Sequence, residues 1–145
     1  MGLDAVARAG RWAHALATWS ARVEEVVAPD AVALVGSYAR GTFVDGTSDV
    51  DVLVVGGRLP ATLQARFMLL AGLAADLAMP IEPLAYSTSE FEAMLGRGHV
   101  AVYDALAFGW PLTGVGAWQR WQQSFAALGR RGLRREGHAW RLPAE

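Results

Sequence analysis

The 145-residue chain contains no cysteine and no lysine. Without cysteine it forms no disulfide, offers no thiolate to a metal and carries no thiol nucleophile. Without lysine it cannot complete a Walker-type phosphate loop, whose lysine reaches the terminal phosphates. The Gly36-to-Gly41 spacing superficially resembles such a loop, but Thr42 follows Gly41 directly. No uninterrupted apolar run is long enough to span a bilayer. The N-terminal segment, with Asp4, Arg8 and Arg11 in its first turns, is not of signal-peptide type. A cytoplasmic protein without a membrane partner is the expectation.

What is present concentrates in residues 31–55, AVALVGSYARGTFVDGTSDVDVLVV. An apolar run, Ala31 to Val35, reads as a strand that stops at Gly36-Ser37. After a polar, Gly-rich excursion the chain returns from Asp49 to Val55 as a second strand. Alternation puts Asp49 and Asp51 on one face with Leu53 behind them, while Val50, Val52 and Val54 face a core and fix the register. Two ionised carboxylates two positions apart repel each other unless a cation sits between them. A hard, oxygen-ligated divalent ion, Mg²⁺, suits that donor set. Gly36 allows close backbone approach, Ser37 adds a hydroxyl, and the YARG that follows, ending in Arg40 and Gly41, opens a short helix. Gly36, Ser37 and Arg40 are therefore the candidate binding residues for a nucleotide's terminal phosphates. Asp45-Gly46 supplies a tight reversal, so Asp45 reads as turn chemistry and not as a ligand.

Gly36-Ser37, eleven residues, then Asp49-Val50-Asp51 flanked by aliphatics resembles the signature of the DNA polymerase β-like nucleotidyltransferase superfamily, particularly its minimal nucleotidyltransferase branch. The motif covers about 25 of the 145 residues. The resemblance implies two Mg²⁺ ions about 3.5–4 Å apart, bridged by Asp49 and Asp51, which neutralise charge on the attacking and leaving oxygens. It implies ATP or another NTP as substrate. It also implies a third carboxylate on a neighbouring strand that helps bind metal and activates the acceptor hydroxyl. That role is assigned to Glu82, on the only later stretch that reads as a strand, Ile81 to Tyr86. Asp76 lies near a helix end, Glu90 has a capping role and Glu92 belongs to a helix. Pro83 beside Glu82 marks an edge strand.

The remaining chain reads as cover. Leu16, Trp19, Val23 and Val26 recur at helical spacing within residues 3–28, and Trp12 and Trp19 are read as core, His14 as packed or surface. A helix from about Ala61 to Leu77 is expected to bury Leu63, Phe67, Leu70 and Leu73 or Ala74. Ser87 or Thr88 with Glu90 forms a capping box. A helix to Phe108, a short strand or hairpin over 108–114 and a helix from Ala117 to Leu128 follow. Charge divides unevenly: residues 1–115 hold 7 Arg against 12 acidic residues, and 116–145 hold 6 Arg against 2. The Arg130, Arg131, Arg134, Arg135 cluster reads either as a contact to a triphosphate, an RNA or an acidic partner, or as a solvated tail pinned by Trp140.

The expected fold is α/β (α+β), a small mixed sheet of three or four strands with helices mainly on one face. One nucleotidyltransferase domain, 1–145, would comprise a core at about 30–95 and a C-terminal helical, Arg-rich extension at about 97–145. The expected function is Mg²⁺-dependent transfer of a nucleotide, AMP from ATP, to a hydroxyl of a macromolecular acceptor. By resemblance that acceptor would be a HEPN-type toxin, with this chain as its antitoxin. A catalytically weak member acting only as a binding partner is the alternative. Antibiotic or other small-molecule adenylylation ranks third, because no acceptor-binding domain follows the core. Nucleic acid is a conceivable partner without a signal of its own. The 53% hydrophobic composition and six Trp fit either docking or homo-oligomerisation.

Overall fold

The run AVALV forms β1 (Ala31–Val35), buried from end to end. Apolar side chains on both faces of a strand demand cover on both sides. The computed structural model describes residues 9–44 and 46–143, and in it that cover is present. β2 (Val50–Val55) pairs antiparallel with β1, and β3 (Ile81–Tyr86) pairs parallel with β2. β4 (Trp110–Thr113) pairs antiparallel with β1 on its other side, giving the order β3-β2-β1-β4. The mixed four-stranded sheet matches the expectation, and Pro83 does lie on an edge strand.

One face carries α1 (Ala13–Val27) and α3 (Leu63–Gly72). Leu16, Trp19, Val23 and Val27 pack there with Val32, Leu34, Val50, Val52, Val54 and Leu70. The Trp19 indole N–H donates to the Leu70 carbonyl at 2.9 Å, so a wholly buried ring keeps its polar atom paired. The opposite face carries α4 (Thr88–Arg97), α5 (Val100–Phe108) and α6 (Val115–Arg130). Phe91, Tyr103, Leu106, Trp118 and Trp121 pack there on Ala31, Ala33, Leu53 and Val55. Helices on both faces replace the expected arrangement mainly on one. The reason is legible in β1, whose every residue needed a partner.

Three further departures concern the helices and the tail. Helix α3 runs only from Leu63 to Gly72, with Thr62 accepting the Ala65 amide as its cap. Its inward stripe is Arg66 and Leu70, and Leu63 and Phe67 are exposed. Burial of Arg66 turned the helix: its guanidinium donates to the Pro60 and Ala85 carbonyls and to Glu90 at 2.8 Å. Four apolar side chains could not have satisfied those two carbonyls. Glu90 holds this ion pair and the capping box together, since it also accepts the Ser87 amide at 2.7 Å. At the C-terminus, β5 (Arg134–Glu136) and β6 (Ala139–Arg141) form a separate antiparallel hairpin. Trp140 pins it by edge contacts to Tyr103 and Phe125. The expected turn is present, with the Thr47 and Ser48 amides donating to the Val44 carbonyl, while Asp45 itself and the residues before Ala9 lie outside the described residues.

Candidate active site

The end of β1 and the start of β2 lie side by side, with Val35 opposite Asp51. Gly36 follows at once with φ +68°, and a Cβ there would overlap the Asp51 carboxylate. Only glycine lets the chain turn this close to the acid. The turn continues into α2 (Gly36–Arg40), closed by Gly41 at φ +77° and by the Thr42 amide donating to the Ser37 carbonyl at 2.9 Å. Tyr38 anchors this helix, its hydroxyl donating to the Ala9 carbonyl and its ring edge-on to Phe43.

Across the parallel ladder, Asp51 is the register partner of Glu82. Register partners project from the same face, so the two carboxylates stand side by side on adjacent strands. Asp49 precedes β2 by one residue and is exposed, which differs from its expected place within the strand. It nevertheless joins the group. Burial pushes the Asp51 carboxyl above the ordinary aspartate range, the charge of Asp49 adds to this, and Arg40 opposes it. Glu82 is also raised, first by its hydrogen-bonding contact with Asp49, then by burial and by the charges of Asp51 and Asp49. Like charges gathered this closely raise one another's proton affinity, and a cation would relieve them.

The face that bears Asp51 and Glu82 is covered by α5 only in part. Where the cover stops, a cavity of about 300 Å³ opens, lined by Val35, Gly36, Arg40, Asp51, Glu82, Leu84, Ala101, Asp104 and Ala105. Four of the six candidate residues, Gly36, Arg40, Asp51 and Glu82, meet in it. Ser37 sits one residue along the turn and Asp49 just before the strand, neither among the lining residues. Asp104 was missed from the sequence. It is the one charged residue in the helix VAVYDALAF, and a lone charge on an otherwise apolar helix was the available signal. Among the described residues no three acidic or histidine side chains converge as a metal cage by themselves. A cation held here would complete its shell with phosphate oxygens and water, as Mg²⁺ commonly does.

An antiparallel β1-β2 pair, a parallel β3 and a glycine turn against the acid of β2 frame the site. The chain has the nucleotidyltransferase fold. Residues 19–79 match the family described as a nucleotidyltransferase domain. Those residues take in both motif strands, the Gly36 turn and Asp51, whereas Glu82 lies just beyond. The nucleotidyltransferase fold is similar to that of a toxin–antitoxin crystallised with AMP-PNP, at 18% identity over 77% of this chain and 85% of the other, TM-score 0.53. It is likewise similar to that of a toxin–antitoxin MntA-HpeT mutant, at 16% identity over 77% and 83%, TM-score 0.51. No curated protein matches. The resemblance to a nucleotidyltransferase domain is thereby borne out. No helix among the described residues is long and apolar enough to cross a membrane.

Proposed function

We propose that the protein transfers a nucleotide, AMP from ATP, to a hydroxyl of a macromolecular acceptor. The observation that carries this reading is the register pairing of Asp51 with Glu82 beside Gly36, in one cavity. Asp51 and Glu82, with Asp49 beside them, supply the hard carboxylate oxygens that Mg²⁺ takes, and would hold it together with phosphate oxygens and water. When bound, the ions would neutralise charge on the attacking and leaving oxygens.

The chain's own residues would do the rest. The Gly36-Ser37 turn admits phosphate oxygens against the backbone, and Arg40 meets their charge. The acceptor oxygen bonds to the α-phosphorus, the bond from that phosphorus to the β-bridging oxygen breaks, and pyrophosphate leaves. Glu82, beside Asp51 on the neighbouring strand, would take the hydroxyl proton. A toxin partner is supported by the two similar toxin–antitoxin structures, and a bound nucleotide by the AMP-PNP of one of them; a HEPN-type toxin as acceptor rests on the motif's resemblance to minimal nucleotidyltransferases. The cavity's volume is at the lower bound for a small-ligand pocket. Nucleotide would fill it, so the acceptor approaches as part of a larger surface.

Titration with Mg²⁺-ATP tests the nucleotide half of this reading. Incubation with α-labelled ATP in host lysate, with and without RNase, tests the acceptor half. A labelled protein band that survives RNase is expected. Absence of Mg²⁺-ATP binding would refute the nucleotide reading, and label confined to small molecules would refute the macromolecular acceptor.

A further inference from the structure

Part of the Arg-rich C-terminus folds into the β5–β6 hairpin, and Arg135 of its cluster contacts Asp104, a residue of the cavity lining. Arg135 is the register partner of Trp140, so both side chains leave the hairpin on the same face. That face lies on α5. The Trp140 indole N–H donates to Asp104 Oδ1 at 2.9 Å, and Arg135 Nε stands 3.7 Å from the same oxygen. The Arg135 guanidinium also lies over the Phe108 ring, 4.9 Å from its centre. Ring and carboxylate thus fix the guanidinium, whose planar fork is the geometry that grips phosphate.

Asp104 connects this contact to the cavity, because its side chain lines the same space as Gly36, Arg40 and Asp51. The short helix of the glycine turn, α2, packs directly on α5, so Asp104 stands on the flank where the turn would hold phosphates. Arg40 is the single cationic residue in the lining, against the three acids Asp51, Glu82 and Asp104. A triphosphate placed there would meet the Asp104 carboxylate, a repulsion that a neighbouring guanidinium relieves.

We propose that the C-terminal hairpin supplies Arg135 as a second phosphate-binding guanidinium beside Arg40, with Asp104 and Trp140 as its positioning residues. This rests on the nucleotide reading of the cavity. It joins the hairpin to the site through Asp104, and it commits Arg135 to the β and γ phosphates, leaving the nucleoside to other contacts.

Isothermal titration of the full chain with Mg²⁺-ATP and with AMP tests it. Arg135→Gln is expected to weaken ATP about tenfold and to leave AMP within about twofold, as loss of one charge-assisted contact to a phosphate would. Arg135→Lys should recover part of the ATP affinity. Asp104→Asn should weaken ATP about threefold alone and add nothing to Arg135→Gln, because it acts through the arginine. Unchanged ATP affinity in Arg135→Gln, or equal losses for ATP and AMP, would overturn the proposal. Tighter ATP binding by Asp104→Asn would remove that residue's positioning role. If the wild type itself binds no nucleotide, the parent reading falls and takes this one with it; if the wild type binds and Arg135→Gln binds equally well, only this one falls.

Discussion

Gly36 and Asp51 are in contact across the β1–β2 junction, so close that a methyl group on the glycine would occupy the space of the aspartate's Oδ2. The turn and the acid are one unit. Gly36→Ala must move the carboxylate or the strand end and also adopt a positive φ. Gly41 has a similar φ of +77°, but a methyl group there would meet nothing within 4 Å. Gly41→Ala should therefore cost only the backbone term, about 1 kcal/mol, and retain nucleotide binding. Gly36→Ala should cost about 2–3 kcal/mol or more and lose binding as well. Thermal melts with ATP titration of both variants check this, and equal behaviour of the two would refute it.

The carboxylate group predicts an unusual dependence on pH and metal. Asp51 and Glu82 are raised above their ordinary values, so the folded state binds their protons more tightly than the unfolded state. The resulting stabilisation is complete below the ordinary carboxylate range and is lost as pH rises through the raised values. At neutral pH without metal the site therefore strains the fold. Asp49→Asn combined with Asp51→Asn should melt higher than the wild type at about pH 7.5, and the gap should narrow toward about pH 5. Mg²⁺ should raise the wild-type melting temperature and leave the double variant unchanged. Nucleotide transfer should vanish in the variant.

Glu82→Gln keeps shape and a hydrogen-bonding group while removing the base. Turnover should fall by about two to four orders of magnitude, the range for losing a positioned base, with the fold intact. Normal turnover alongside a dead Asp51→Asn would place the base elsewhere.

Arg66 offers the opposite signature, stability without function. Its guanidinium is buried, ties the α3 start to the β3 end and pairs with Glu90. Arg66→Met should destabilise by about 2 kcal/mol, because two backbone carbonyls and a carboxylate lose their donor. The Glu90 carboxyl is held low by the Ser87 amide first and by Arg66 second. The stabilisation it confers is present above the ordinary glutamate range and fades as pH falls through the lowered value. Nucleotide affinity of the Arg66 variant, measured well below its melting temperature, should match the wild type.

Local pattern carried the motif, the strands of the main sheet and the cap, but not the β5–β6 hairpin. Val50, Val52 and Val54 alternate with Asp51 and Leu53, and that periodicity alone set which side of β2 is acidic. Pro83 announced an edge, and Ser87 with Glu90 announced a helix start, because each acts within a few residues of itself. Position in space was another matter. That Glu82 stands beside Asp51 follows from a parallel register between segments 31 residues apart, which no local periodicity encodes. Arg66 turned α3 away from its apolar stripe because carbonyls from Pro60 and Ala85 needed a donor, a demand created only when β3 came alongside. Asp104 and Arg135 belong to different elements and meet only when the hairpin folds back on α5. Periodicity reports what a segment must bury, and long-range pairing determines which polar groups then face one another.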